Sequence, residues 1–255
     1  MQGVGIHIPN LDLPRGESVA SPQQLIDIDF WFDASSITGV AADSPLEVWG
    51  DSSGRVHHAN QVDPTHRPIY RMIDNRPAVE FSGVHWLDVT GTVTPTTTIA
   101  TYYVVVKQRV AQDGVIFSKF NPVTGGDYFR FQNSNGARTM ITALGGPLFT
   151  TDFSPASGHE IPDDTFVLLT VQTSGLTFGS QPTKGQVNIR LNSQDIVIGQ
   201  PCAGRGRDSA GRIGAHLDGS RPLDGAIREI IGCIGYHNRG TVEQVENYLF
   251  RKWFI

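Results

Sequence analysis

Cysteine is scarce: Cys202 and Cys233 are the two in 255 residues. Two thiols make no disulfide framework, and their spacing is not that of a zinc module. Both read as reduced, with Cys233 alternating into the core of a strand and a Cys202–Cys233 bridge as the alternative. An excess of positive charge is also missing: 20 Lys and Arg stand against 25 Asp and Glu, a formal net charge of −5. Nucleic acid is therefore not an expected partner, because phosphate binding needs clustered cations. The densest basic stretch, Arg205-Gly-Arg207 with Arg212, includes Asp208 and sits among glycines, as a solvated loop would. Long apolar runs are absent too. Nothing approaches the about 20 residues that cross a bilayer as a helix, so membrane insertion is not expected. The N-terminus lacks the basic start, apolar run and cleavage site of a secretory signal, and the expectation is a product made in a cytoplasm.

What is present is material for strands and turns. Apolar residues make up 39% and charged residues 18%, enough apolar content for a substantial core. The 28 Gly and 15 Pro fall in turn-like groups, as many short strands require. Residues 1–27 are broken by Pro9, Pro14, Gly16 and Pro22 and carry few apolar residues, so they read as an extended arm ordered by docking onto a partner. From residue 28 to 255 about a dozen strands recur at the spacing of a sandwich. They include Asp29–Asp33, Pro45–Trp49, the β-branched and aromatic run Thr98–Lys107, and a pair flanking the hairpin signal Asn135-Gly136. Gly225–Arg239 reads as one long final strand running into an amphipathic helix, Thr241–Trp253. Thr241 and Gln244 fit a capping box, and Val242, Val245, Leu249 and Trp253 form one face, expected to pack on the sandwich edge.

Several blocks of the chain, taken in order, resemble a known group. Phe30–Gly39, Val48–Gly54 and His58–Gln61 look like its opening, and Asn75–Gly83 like its next block. Arg212-Ile-Gly, Leu223–Ile231, Tyr236–Arg239 and Val245–Leu249 with Lys252-Trp253 look like its close. The group is the laminin-G-like, concanavalin A-like jelly-roll domain found in phage virion and bacterial surface proteins. The resemblance implies an all-β antiparallel jelly-roll sandwich with a short C-terminal helix, here preceded by an arm that the group does not have. It implies a non-enzymatic virion accessory protein, assembled in the host cytoplasm, in the capsid or tail. Residues 1–27 would bind virion structural proteins and the domain would bind glycans. A homo-oligomer stays open. A carbohydrate-active enzyme on the same fold and a purely structural decoration protein are the alternatives.

Catalytic patterns are weak. Asp27, Asp29 and Asp33 miss the spacing of the jelly-roll hydrolase acids and read as strand and turn residues. Adjacent His57 and His58 would face opposite sides of a strand and could not readily chelate one ion. A Ser-His-Asp arrangement stays open, without a nucleophile elbow to support it. The resemblance makes Ca²⁺ the implied cation, with Asp51, Asp127 and Asp218 as turn carboxylates that can ligate it. Sugar binding needs an exposed aromatic platform with polar neighbours, for which Trp86, Tyr103 and Tyr128 are the candidates; Trp31 and Trp49 read as core.

Overall fold

A computed structural model describes residues 21–25, 27–93, 99–109, 113–119, 128–134, 137–143, 150–153, 161–174, 184–203 and 209–255. Among these residues seventeen strands and one α-helix follow in order: β1 (Ile28–Asp33), β2 (Ser44–Pro45), β3 (Val48–Trp49), β4 (Ala59–Asn60), β5 (Ile69–Ile73), β6 (Arg76–Ser82), β7 (Leu87–Val93), β8 (Ala100–Gln108) and β9 (Gly114–Ser118). Then come β10 (Tyr128–Ser134), β11 (Ala137–Ala143), β12 (Thr150–Phe153), β13 (Val167–Ser174), β14 (Lys184–Leu191), β15 (Gln194–Ala203), β16 (Ser209–Ile213), β17 (Asp224–Ile234) and α1 (Arg239–Trp253). One sheet is ordered β15-β14-β13-β8-β17-β6-β5-β2, with β1 also on β17; the other is β12-β11-β10-β9-β16-β7-β4-β3. Every strand pair among the described residues is antiparallel, so the all-β sandwich expected from the sequence is what forms. No described helix is long and apolar enough to cross a membrane.

Alternation along the central strands divides the core in two. On β8, Tyr102, Val104 and Val106 face the other sheet, where Phe30, Phe32, Trp49, Phe81 and Phe117 fill the space between the layers. Tyr103 and Val105 face the opposite way and join Trp31, Ile231 and Cys233 in a second apolar cluster. A half-buried sheet face of this size would expose aromatic and branched side chains. Val242, Val245, Leu249 and Trp253 of α1 cover it. The helix face is the one read from the sequence, but it packs on the sheet's outer face and not on the sandwich edge, because that face is apolar.

Three further readings change. Pro45–Trp49 is not one strand: β2 belongs to the first sheet and β3 to the second, and between them Leu46 turns fully into the core. The final strand stops at Ile234, because Gly235 takes a φ of 143° and turns the chain away. The helix starts at Arg239 and is capped by Asn238, whose Oδ1 accepts from the Thr241 amide at 3.0 Å, so Thr241 is the capped residue and not the cap. The β10–β11 hairpin forms with Ser134 opposite Ala137, as the Asn-Gly signal implies; Asn135 and Gly136 themselves lie outside the described residues. Residues 21–27, read as part of the arm, include Leu25 against the second cluster and Asp27 bonded to His237; residues 1–20 lie outside the described residues.

A β-bulge on β17 joins helix to sheet. Ile227 pairs with Val106 and Glu229 with Val105, so Arg228 is an extra residue. Alternation is reset there: Ile227 and Ile230 both face the inter-sheet core, while Arg228 and Glu229 both reach the helix. Glu229 is 0% exposed. Its carboxylate accepts from Trp31 Nε1 at 2.7 Å, Trp253 Nε1 at 2.6 Å and Lys252 Nζ at 2.8 Å. Arg228 donates to the Trp253 carbonyl at 3.1 Å. Burial pushes the Glu229 carboxyl up to about 7, against the pull of the Lys252 ammonium. Lys252 shows the opposite balance: burial would lower it, but Glu229 and Asp33 hold it charged.

Trp253→Ala leaves a void between helix and sheet and should destabilise the fold by about 3–5 kcal/mol, read from the denaturant midpoint. Because the fold holds the Glu229 proton more tightly than the unfolded chain, that stabilisation is full below about pH 4.5 and is lost as pH rises through about 7. The stability of wild type minus Glu229→Gln should therefore fall by about 2–3 kcal/mol between about pH 5 and 8. A pH-independent difference between the two proteins would contradict this.

Candidate functional site

On β13 and β14, Val171, Val187 and Ile189 point into the inter-sheet core. Their neighbours Gln172, Asn188 and Arg190 take the opposite face, with Gln172 directly across from Asn188. This is the face that α1 covers further along, but the helix starts only at Arg239. Between its first turn, the end of β17 and the strands β13–β15 a cleft of about 170 Å³ remains. Tyr236 and His237, in the link from β17 to α1, line it, as does Ile198 of β15. Tyr236 is 46% exposed and Ile198 71% exposed, so the lining includes an aromatic and an aliphatic side chain that are both open to solvent.

The floor is polar and fixed. Asn188 donates through Nδ2 to the Tyr236 hydroxyl at 2.5 Å and accepts from the Gly199 amide at 2.6 Å. Gln172 Nε2 donates to the His237 carbonyl at 2.8 Å. Arg190 donates to both oxygens of buried Glu246 at 2.9 Å and to Asp195, whose other oxygen accepts from Arg239 at 2.7 Å. Burial alone would raise the Asp195 carboxyl, but the hydrogen bonds from Arg239 and Arg190 outweigh it and hold it below the usual range. Both Asp195 oxygens are thus engaged by guanidinium groups. The arrangement suits recognition of hydroxyl groups at a stacked ring.

Behind the cleft wall lies a buried chain of polar groups. Tyr103 is fully buried, and its hydroxyl meets His237 Nδ1 at 2.7 Å. His237 Nε2 lies 3.0 and 3.1 Å from the two oxygens of Asp27. Burial pushes the Tyr103 phenol upward, so it stays protonated and can donate to Nδ1 while Nε2–H donates to Asp27. Cys233 is buried beside them as a free thiol, pushed well above its ordinary range by burial and by Asp27 and Asp29.

The aromatic residues singled out from sequence do not line the cleft. Tyr103 offers no face to a ligand. Trp86 is half-buried just before β7, with His66 stacked on it at 3.9 Å and the Arg212 guanidinium 4.9 Å from its ring. The Tyr128 side chain lies outside the described residues, as does Asp127. Asp51 accepts from the amides of Trp31, Ser53 and His57 and from the Ser53 hydroxyl, so both its oxygens serve the turn. Asp218 is exposed and accepts from the Ser220 hydroxyl and amide, which lower its carboxyl. The three acids near the first strand are parcelled out: Asp27 to His237, Asp29 to His57 at 3.7 Å, Asp33 to Lys252 at 2.5 Å. His57 and His58 serve separate neighbours, His57 at the Thr90 carbonyl and His58 at the Asp51 amide. Of two Ser–His contacts, Ser118 to His216 is buried; Ser82 meets His85, which also bonds the Glu80 backbone, so a carbonyl stands where a triad would need an acid. Sequence reasoning missed Tyr236, Asn188 and Asp195. The available signal was the polar, aromatic run Tyr236–Arg239 lodged between strand and helix.

No protein-family model and no curated protein matches the chain. Solved structures do. Domain 4 of AbnA, a GH43 extracellular arabinanase from Geobacillus stearothermophilus solved with arabinotriose, matches at 14% identity over 86% of this chain and 98% of that one, TM-score 0.58. The binding domain of Paraclostridial Mosquitocidal Protein 1 matches at 12% identity over 90% of this chain and 53% of that one, TM-score 0.60. Trypanosoma rangeli sialidase with sialic acid matches at 11% identity over 93% of this chain and 34% of that one, TM-score 0.55. The likeness is one of fold, a β-sandwich, and the chain spans about half or less of the last two.

Proposed function

We propose that the protein is a non-catalytic carbohydrate-binding β-sandwich that takes a single sugar ring in the cleft at Tyr236. The observation that carries this is the exposed Tyr236 ring beside polar groups already fixed by Asn188, Gln172 and the Arg190–Asp195–Arg239 chain. A pyranose or furanose presents an apolar face to an aromatic ring and hydroxyls to such a rim. The cleft, about 170 Å³, is smaller than the about 300–1,000 Å³ of drug-sized sites, which favours one ring over an extended chain. Two of the similar structures, an arabinanase domain and a sialidase, were solved with a saccharide or sugar acid, and this adds support.

The non-catalytic part rests on charge. Glycoside hydrolysis needs one carboxyl raised to hold a proton and a second free to act as base or nucleophile. In the cleft Asp195 is lowered and doubly held by arginines, and Glu246 is buried against Arg190 and Thr170. Asp33 and Glu229 do converge on Lys252, but Glu229 is sealed beneath the helix. In the setting that the sequence resemblance implies, a phage virion carrying many copies, weak single-ring binding would be multiplied into avidity.

On a multivalent glycan array the wild-type protein should bind a subset of sugars. Tyr236→Ala should lose about five- to thirtyfold in affinity, a single stacking contact being worth about 1–2 kcal/mol, with its unfolding midpoint unchanged. Tyr236→Phe should keep most of the binding. An array without signal, or equal binding by Tyr236→Ala, would defeat the reading; release of reducing sugar from a polysaccharide panel would move it to the enzyme alternative.

A further inference from the structure

Asp27, Cys233 and His237 offer a carboxylate oxygen, a thiol sulfur and an imidazole nitrogen that all lie within 4.8 Å of one another. Among the described residues this is the one cluster of three metal-type ligands. We propose that it is a binding site for a zinc-like divalent cation, which staples the chain entering β1 to the chain leaving β17.

The ligand types fit such an ion. Thiolate and imidazole are the donors of borderline-soft metals, and a carboxylate completes a common third position. Tetrahedral bonds of about 2.0–2.3 Å place ligand atoms about 3.3–3.8 Å apart; the Asp27–His237 pair, now 3.0 Å apart, would widen slightly, and the longest separation, within 4.8 Å, would close by up to about 1 Å. Thiolate, carboxylate and neutral imidazole together balance a charge of +2. Among the described residues the ion-pair partner of Asp27 is His237.

The surroundings are those of a held ligand set. A metal-bound imidazole usually has its second nitrogen fixed by an oxygen partner. Tyr103 stands at His237 Nδ1 at 2.7 Å; its hydroxyl can accept there once Nε2 turns to an ion. Gly235 beside the site takes a φ of 143°, which favours glycine, and a Cβ there would stand 2.8 Å from Asp27 Oδ2. Cys233 is placed by the central strand β17, and His237 by the turn that follows.

The test uses the full chain, freed of metal by chelator and titrated with Co²⁺. One equivalent should produce a sulfur-to-cobalt charge-transfer band and the visible bands of a four-coordinate ion. One equivalent of Zn²⁺ should erase both and raise the unfolding midpoint. Cys233→Ser should lose the charge-transfer band, Cys202→Ser should keep it, and Asp27→Asn should weaken Co²⁺ binding at least tenfold. If Cys233→Ser fails to fold, the wild-type titration together with Cys202→Ser still decides. Absence of the band, its loss in Cys202→Ser with retention in Cys233→Ser, or a midpoint indifferent to Zn²⁺ would overturn the proposal. None of these readouts depends on sugar binding.

Discussion

A single buried carboxylate, Glu229, determines where the C-terminal helix sits. Placing an ionisable group where no water reaches costs several kcal/mol unless donors replace the water. Here two indole N–H groups and an ammonium do so, and two of the three, Trp253 and Lys252, belong to the helix. The helix cannot leave its seat without stranding that group. Fifteen residues of helix are marginal in isolation, so this anchor and the apolar face beneath it supply the stability that propensity alone does not. The bulge at Arg228 is the backbone device that makes it workable: strict alternation would have driven one of two adjacent charges into the space between the sheets.

The cleft follows from where the helix stops. Alternation gives β13 and β14 an apolar inner face and a polar outer one, and α1 begins just short of their ends. The uncovered polar patch, the link residues Tyr236 and His237 and the protruding Ile198 then enclose a small open volume. The chain of Glu246, Arg190, Asp195 and Arg239 ties the helix to β14 and β15, so the walls of the cleft are held by the contacts that dock the helix.

Elements whose signal is local were legible. The β-branched run of β8 and the helix positions Val242, Val245, Leu249 and Trp253 announce themselves, and the Asn-Gly turn sets its hairpin. Elements decided by distant partners were not. Nothing near Pro45–Trp49 says that the segment changes sheets; Leu46 is drawn inward by a core built from remote strands. Tyr103 alternates away from the inter-sheet core and so looks available to a ligand, but α1, arriving well over a hundred residues later, covers that face. Tyr236–Arg239 reads as more strand because the chain at Gly235 is held by bonds of long sequence separation, the Ile234 amide to the Asp27 carbonyl and the Gly235 amide to the Ile99 carbonyl. The candidate site fails to appear for the same reason: its residues come from three strands, a link and the first turn of the helix, and no spacing within the chain relates them.

β17 carries β8 along one side, and on the other β6 and β1 placed end to end. Apart from the single bridge of Phe32 to Asp51, the first described strand therefore finds its partner in the last. During synthesis from the N-terminus, β1 must wait for its ladder until residues 229–233 have cleared the ribosome. A nascent chain halted before that point would present a gap at the middle of its sheet, flanked by aromatic side chains. Completion of this domain is thus a late, all-at-once event, and its immature form is one that chaperones would be expected to shield.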